Sequence, residues 1–460
     1  MKKHLSLYFL LFLLVACSNP LRNYSWEDDL NYRLQVDFSW TQQQVKDYIQ
    51  KYIPDVTDEQ IDAWTQTGVL ESMMLNGERM YFNRTAANLF RVDSTAKAIK
   101  KAQQPQPTTM EALDSVLLEN IQAVYKYADS VAVTKRFRVK YTLTVRADAV
   151  PQGEIIRCWL PYPQDIAPRQ TNIKLLHTSH KPVLSADVCP SKKMAGKLTK
   201  NDHATLYMQA IAEKGKPTVF SEEFEYTARG VYNILNINKI KLYDTSSATY
   251  QLYTQEREAH IIFTPRLRAL ADSLTQGLTH PLEQAQAIYT WVDKTFPWAG
   301  AREYSTLANI PEYVLESGHG DCGQVALLFI TLCRIVGIPA HFQSGFWVQP
   351  NDEGMHDWAE IYFEGVGWVP VDQSYGPTRF DESSPLLTPY LQEMSGNYFY
   401  LGGMDNFRLI VNQDFGQELY PSKLYPRSET VDFQRGEVEW RNGNIYFPDW
   451  NYEIQVTEIE

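Results

Sequence analysis

The sequence predicts an α+β protein with several structural units, and three observations support this prediction. The chain has 460 residues, enough for about three domains at roughly 150 residues each. Apolar residues recur at helical spacing before about residue 134, alternate with period two from 135, and return to helical spacing at 265. The end of the chain is aromatic and again patterned like strands. The predicted units are a tether and helical region (17–134), a β-sandwich (135–241), a mixed core (242–380) and an aromatic β-rich region (381–460).

Composition excludes several classes of protein. The chain carries 43 Lys and Arg against 55 Asp and Glu, a formal net charge of −12, which argues against nucleic acid as a partner. The hydrophobic fraction of 44% is ordinary for a globular protein and excludes wholesale disorder. The aromatic fraction of 13% favours β-rich units and contact surfaces for peptide or carbohydrate.

Residues 1–16 are typical of a lipoprotein signal peptide. Basic Lys2 and Lys3 precede the apolar run Leu5–Ala16, which at twelve residues is shorter than the about 20 that span a bilayer. The run Leu14–Cys17 resembles a bacterial lipobox, which implies cleavage before Cys17 and lipidation of that residue. We therefore expect a lipid-anchored protein of the bacterial cell envelope, on the periplasmic face or the cell surface. A simple secretory signal is the alternative.

Local signals place the elements in order. Thr41 and Thr57 are each followed three residues later by Gln, a capping box that predicts a helix start at both positions. A linker is predicted at 100–109 and a helix at about 110–128. Strands are predicted at 136–146, at 155–160 before Pro161, and at 222–228, then helices from Pro265 and Pro281, and a final hairpin turning at Asn442-Gly443.

Cys322 is the candidate nucleophile. It follows Gly320 and Asp321 and precedes an apolar run, which places it at a helix N-terminus. Amide donors and the helix dipole there favour the reactive thiolate, and the neighbouring glycines leave room for a substrate amide. The backbone amide of Cys322 is one candidate oxyanion donor, and Trp298 and Gln324 are candidates for a second.

His356 and Asp372 complete a predicted triad. Two strand-like runs, 356–363 and 368–372, flank the turn signal Glu364–Gly367. Antiparallel pairing about that turn brings His356 and Asp372 to the same end of the hairpin. His356 would take the thiol proton, and Asp372 would fix its tautomer and orientation.

Four ordered segments resemble the transglutaminase-like superfamily, and the resemblance covers about residues 255–376. It implies a papain-like fold, in which a helix presents Cys322 to an antiparallel sheet that presents His356 and Asp372. The preceding β-sandwich is similar to a module that often precedes this core in bacterial members. The segments are Gly-His-Gly-Asp-Cys-Gly (318–323), Gly-Ile-Pro-Ala-His (337–341), His-Asp-Trp-Ala-Glu-Ile-Tyr (356–362) and Gly-Trp-Val-Pro-Val-Asp (367–372).

The resemblance implies acyl transfer from an amide carbonyl to an acceptor. With water as acceptor, the reaction is hydrolysis of peptide, glycopeptide or peptidoglycan-type amides, which we favour because water is abundant and no amine site is evident. Cross-linking by glutamine transfer to an amine is the first alternative, and a non-catalytic peptide- or glycan-binding module is the second. The expected partners are a peptide, glycopeptide or protein substrate and, through the lipid, a membrane. The oligomeric state is open.

The remaining candidates are given structural roles. Cys158 and Cys333 are predicted core residues, whereas Cys189 has no assigned role. No cofactor or metal is predicted, because zinc at Cys322, His319 and His356 would need a fourth ligand. His341 is expected to be structural. Asp357 and Glu360 are expected on solvated strand faces.

Overall fold

The computed structural model describes residues 25–103, 108–127, 132–185, 193–194, 197–198, 203–375 and 399–460. The predicted signal peptide, Cys17 and Cys189 lie outside these residues. Within the described ranges, no helix is long and apolar enough to cross a membrane.

The described α-helices are α1 (Trp26–Asp37), α2 (Gln42–Ile49), α3 (Asp58–Gln66), α4 (Thr85–Val92), α5 (Ser94–Gln103), α6 (Thr108–Tyr127), α7 (Ala248–Tyr253), α8 (Pro265–Leu274), α9 (Pro281–Thr295), α10 (Ile310–Ser317) and α11 (Cys322–Ile335).

The described strands are β1 (Ser72–Leu75), β2 (Glu78–Tyr81), β3 (Thr134–Val145), β4 (Ile155–Tyr162), β5 (Gln170–Thr178), β6 (Val183–Leu184), β7 (Lys193–Met194), β8 (Lys197–Leu198), β9 (Ala204–Ile211), β10 (Thr218–Arg229), β11 (Val231–Tyr232), β12 (Ala340–Trp347), β13 (Gly354–Phe363), β14 (Gly367–Val371), β15 (Gly403–Met404), β16 (Arg408–Gln413), β17 (Glu437–Trp440), β18 (Gly443–Ile445) and β19 (Trp450–Ile459).

The N-terminal unit packs α2 to α5 around its own apolar core. Both predicted capping boxes are present, at Thr41 and at Thr57. The prediction of a purely helical region is wrong, because β1 and β2 form an antiparallel hairpin. Its turn residues Asn76 and Gly77 both have positive φ, which an Asn-Gly pair adopts readily. The predicted linker is also shorter than expected, since α5 continues to Gln103.

Two sheets form the sandwich, and the end of the chain completes both. The first has the order β19-β3-β10-β5, and the second has the order β18-β17-β4-β9-β6. Strand β4 continues through Pro161 to Tyr162, two residues past its predicted end. The predicted final hairpin is β17 and β18, but its turn lies one residue earlier, because Gly443 already pairs with Trp440. Cys158 is fully buried in this sandwich, as predicted.

The C-terminal region is not a separate unit, contrary to the boundary predicted at 381. Strands β17, β18 and β19 belong to the sandwich, whereas β16 pairs with β12 in another sheet. Strand β19 pairs with β3 from Trp450 opposite Val145 to Ile459 opposite Arg136. The reason is that strands from distant parts of the chain can pair in one sheet, and sequence periodicity does not show which sheet a strand belongs to.

The mixed core confirms the predicted α+β fold class. Its antiparallel sheet has the order β14-β13-β12-β16. Ala359 and Ile361 of β13 pack with the buried side chains of α11, including Phe329 and Cys333, in one hydrophobic cluster. The opposite face of the sheet, including Trp358, packs with the sandwich. The sheet is therefore covered on both sides.

Trp450 tests whether the last strand stabilises the sandwich. Its side chain is buried, and the indole N–H donates to the Ile445 carbonyl at 2.9 Å. We expect Trp450→Ala to reduce the free energy of unfolding by about 3–5 kcal/mol, measured by denaturant titration. Gln455→Ala, at an exposed position of the same strand, should change it by less than about 0.5 kcal/mol. Equal stability of the two variants would contradict the shared sandwich.

Candidate active site

The local sequence fixes the start of α11 at Cys322. The Asp321 side chain accepts from the Gln324 amide at 3.1 Å, and the Gln324 side chain accepts from the Asp321 amide at 3.2 Å. This reciprocal cap holds the first turn, and the predicted helix start at Cys322 is confirmed. Gly323 is required next, because a Cβ there would lie 2.7 Å from an Asp357 oxygen and would collide with the Tyr304 hydroxyl. The Cys322 thiol is consequently left half-buried in front of two carboxyl groups.

His356 and Asp372 meet as the hairpin predicts. Strands β13 and β14 pair with Ala359 opposite Val371, so both side chains lie on the same face of the sheet. The His356 Nε2 to Asp372 Oδ2 distance is 2.6 Å, and both side chains are buried. The Asp372 backbone is also anchored, since the Tyr289 hydroxyl donates to its carbonyl at 3.1 Å.

Arg408 is a third member of this network, and the sequence analysis did not identify it. Its Nη2 lies 2.8 Å from Asp372 Oδ2, and its Nη1 lies 3.1 Å from Asp405 Oδ2. The guanidinium is fully buried and lies 4.3 Å from the ring centre of Trp347 and 4.5 Å from that of Tyr375. No local motif marks Arg408, because only the pairing of β16 with β12 brings it to the site.

The network sets the charge of the histidine. Burial raises the pKa of Asp372, but His356 and Arg408 outweigh that effect and hold the pKa below its usual value. Burial also lowers the pKa of His356, against the opposing effect of Asp372 and with a further lowering by Arg408. At neutral pH the imidazole is therefore uncharged. With Nε2–H donated to Asp372, Nδ1 keeps the lone pair that a general base needs.

The Cys322 thiol contacts Asp357 rather than His356. Its Sγ lies 3.4 Å from Asp357 Oδ2, and among the described side chains no hydrogen bond joins it to His356. Successive side chains of a strand point to opposite faces. Asp357 therefore lies on the α11 side of β13, and His356 lies with Trp358 on the other. The structure brings together two members of the predicted triad, and the third has a different hydrogen-bond partner.

The expectation that the helix N-terminus favours a Cys322 thiolate is wrong for this arrangement. Burial raises the pKa of the thiol well above its ordinary value, and the nearby carboxyl groups of Asp357 and Asp321 raise it further. Burial and the two carboxyl groups therefore outweigh the helix dipole. Cys322 therefore rests as a protonated thiol.

The solvated positions expected for Asp357 and Glu360 are also wrong. Asp357 is 1% exposed, and its second oxygen accepts from Gln434 Nε2 at 2.6 Å. Glu360 is also buried, and its carboxylate oxygens lie 2.9 Å from Arg169 Nη1 and 3.1 Å from His341 Nε2. Both faces of β13 are covered, so polar residues there have buried partners instead of water. The pairing with Glu360 agrees with a structural role for His341.

The two side-chain oxyanion candidates occupy different environments. Trp298 is 49% exposed and, with Cys322, lines a cavity of about 190 Å³. Gln324 is buried, its oxygen is used in the helix cap, and its Nε2 has no hydrogen-bond partner among the described residues. Trp298 is thus better placed for a substrate in the cavity, and both assignments stay predictions.

His319 lies three residues before Cys322 in the sequence. Its side chain is buried, and burial lowers its pKa to about 4, so the ring is neutral. Within the part of the chain that the structure describes, no group of three or more His, Cys, Asp or Glu side chains is arranged to hold a metal ion.

A family match covers the segment that carries the candidate site. The model of the transglutaminase-like superfamily matches residues 268–373, a segment that contains Cys322, His356 and Asp372. These residues form a transglutaminase-like core, and the match supports cysteine-based catalysis in general.

The individual relatives share less than 30% sequence identity with this chain over the matched residues. An uncharacterized protein of Haemophilus influenzae is 26% identical over 155 residues, which is 26% of this chain and 41% of that protein. The human kyphoscoliosis peptidase is 28% identical over 132 residues, 26% of this chain and 20% of its own. This chain therefore matches less than half the length of either relative. A crystal structure from Cytophaga hutchinsonii is 13% identical, covering 72% of this chain and 92% of its own, with a TM-score of 0.44.

Removal of the Asp357 carboxyl group should make Cys322 more reactive. Burial raises the pKa of Asp357 well above its ordinary value, and once ionised this carboxyl opposes the Cys322 thiolate. We expect Asp357→Asn to shift the pH midpoint of Cys322 alkylation by iodoacetamide downward by about one unit or more. The amide retains an oxygen for the contact with Gln434. Asp272→Asn, at an exposed position of α8, is the matched control and should leave the midpoint unchanged. An unchanged midpoint in Asp357→Asn would contradict the role of that carboxyl.

Proposed function

We propose that this chain is a lipid-anchored cysteine enzyme of the bacterial envelope that hydrolyses amide bonds of peptide, glycopeptide or peptidoglycan-type substrates. The observation that carries the proposal is the presence of both reacting parts on neighbouring elements of one core. A half-buried cysteine begins α11 at a cavity, and a neutral histidine is held by a buried aspartate on the adjacent sheet. The envelope location rests on the lipobox-like run at Cys17.

In the proposed reaction, Cys322 attacks the substrate carbonyl. The S–H bond breaks as the S–C bond forms, and His356 Nδ1 receives the proton. His356 then gives this proton to the leaving amine. Water attacks the thioester while His356 accepts a proton from it, the C–S bond breaks to release the acid, and His356 returns the proton to the sulfur of Cys322. Asp372 keeps the imidazole in the required tautomer throughout.

The resting contact of Cys322 with Asp357 requires one motion before attack. The thiol must leave Asp357 Oδ2 and meet His356, whose side chain lies on the other face of β13, so the motion involves more than the cysteine side chain. Catalytic hydrogen bonds are often absent or long without substrate, so the resting geometry is compatible with this sequence of steps.

A non-catalytic binding module is the second candidate, and the same resting contact favours it. A thiol that stays on Asp357 would never reach His356, and the cavity would then only hold a ligand. The name of the human relative refers to a peptidase, which supports the hydrolytic proposal over this candidate. Glutamine transfer to an amine is a third outcome, which depends on the acceptor alone.

The test uses a glutamine-containing donor peptide with and without a primary amine, followed by mass spectrometry. We expect cleaved or deamidated peptide as the main product, because water reaches the cavity, and no product from Cys322→Ala. Cys333→Ala is the control, since Cys333 is buried within α11 and should leave turnover within a few-fold of the wild type. Isopeptide products would show transfer instead. Equal product from wild type and Cys322→Ala would contradict the nucleophile.

A further inference from the structure

Arg84, the N-cap residue of α4 in the N-terminal unit, lines the Cys322 cavity. Arg84, Asn88 and Arg91 are spaced at i, i+4 and i+7, which places them on one face of α4. Asn88 forms two hydrogen bonds of 2.8 Å with the backbone of Gly300, one as donor and one as acceptor. Arg91 lies 4.5 Å from the ring centre of Trp298. The N-terminal unit therefore fixes the segment that carries Trp298.

The carboxyl groups that line the cavity already have partners within the protein. Glu303 and Glu429 both pair with Arg435. Asp321 caps α11 and accepts from the Tyr304 hydroxyl. Asp357 contacts Cys322 and Gln434. Asp432 forms a side-chain hydrogen bond with Glu429. A cationic substrate group would have to displace one of these interactions.

Arg84 differs from the other two arginines of the cavity. Arg435 pairs with Glu303 at 2.7 Å, and Arg302 lies 3.5 Å from Glu71. Arg84 is exposed, lines the same cavity as Cys322, and forms no ion pair with any described residue. Its aliphatic part packs against Gly300, which keeps the guanidinium at the rim. Its charge acts on Asp321, but among the described residues Arg84 is the cavity arginine that makes no ion pair.

We propose that Arg84 binds a carboxylate of the substrate, so that the enzyme selects amides with a carboxylate close to the scissile bond. The inference rests on the proposed function, because it concerns the substrate of Cys322. A guanidinium offers paired N–H donors whose geometry matches the two oxygens of a carboxylate. The carboxylate belongs to a side chain or to a chain terminus of the substrate, and both have the same chemistry at Arg84.

Alkylation of Cys322 tests this without a known substrate. Iodoacetate and iodoacetamide differ in one feature, the carboxylate, so the ratio of their rate constants at Cys322 measures the attraction of that group. We expect Arg84→Ala to lower the iodoacetate-to-iodoacetamide ratio about tenfold, a typical effect for one charge-assisted contact. Arg84→Glu should lower it further, and added salt should reduce the wild-type ratio. Site-resolved mass spectrometry gives both rates.

The control is Arg79→Ala, an exposed arginine on β2 of the same unit whose side chain contacts Ser72. It should leave the ratio unchanged. A ratio that is equal in wild type and Arg84→Ala would overturn the inference while leaving Cys322 as the nucleophile. If neither reagent alkylates Cys322 in the wild type, the proposed function fails, and this inference fails with it.

Two peptide pairs then separate the sources of the carboxylate. One pair has Glu or Gln beside the scissile amide with an amidated C-terminus, and the other has a free or amidated C-terminus without acidic side chains. In the pair whose carboxylate Arg84 binds, Arg84→Ala should raise KM for the acidic member with little change in kcat, because Arg84 binds rather than reacts. The pair that shows the effect identifies a side-chain or a terminal carboxylate. No effect in either pair would contradict the proposal.

Discussion

The buried carboxylate of Asp372 is the interaction on which the geometry of the site depends. It accepts from His356 on β13 and from Arg408 on β16, so it ties together strands from separate parts of the chain. An unpaired buried carboxylate would be costly, and two cationic or donor partners remove that cost. The same contacts orient the imidazole. The C-terminal part of the chain is therefore needed for the site as well as for the sandwich.

Cys322, unlike Asp372, lies among acidic side chains. Asp321 caps its helix and Asp357 contacts its sulfur, so the thiol rests protonated. The thiol faces one side of β13, and the His356 side chain lies on the other side. Under the proposed function, nucleophile and base are separated in the resting state, and a protonated thiol is less open to alkylation or oxidation. Arg84, supplied by the N-terminal unit, adds a positive charge at the cavity rim. Three units of the chain thus contribute to one cleft.

The parts of the site that follow from local rules could be predicted from sequence. The capping box sets Cys322 at the start of α11, and a tight turn brings His356 toward Asp372. Arg408 could not be predicted, because its position depends on pairing between strands far apart in sequence. The partner of Cys322 was missed for a different reason. Both faces of β13 are buried, so polarity does not reveal which face meets the helix, and Asp357 was expected in solvent.

The protonation state and tautomer of His356 test the central claim most directly. They are measured by nitrogen-15 NMR titration of the imidazole in the full chain, with His356→Gln used to assign the signals. We predict a neutral ring with the proton on Nε2 and a pKa below the usual 6.5, so the base form is lost only as pH falls through that lowered value. A proton on Nδ1, or a pKa above 6.5, would contradict the proposed arrangement of Asp372, Arg408 and His356.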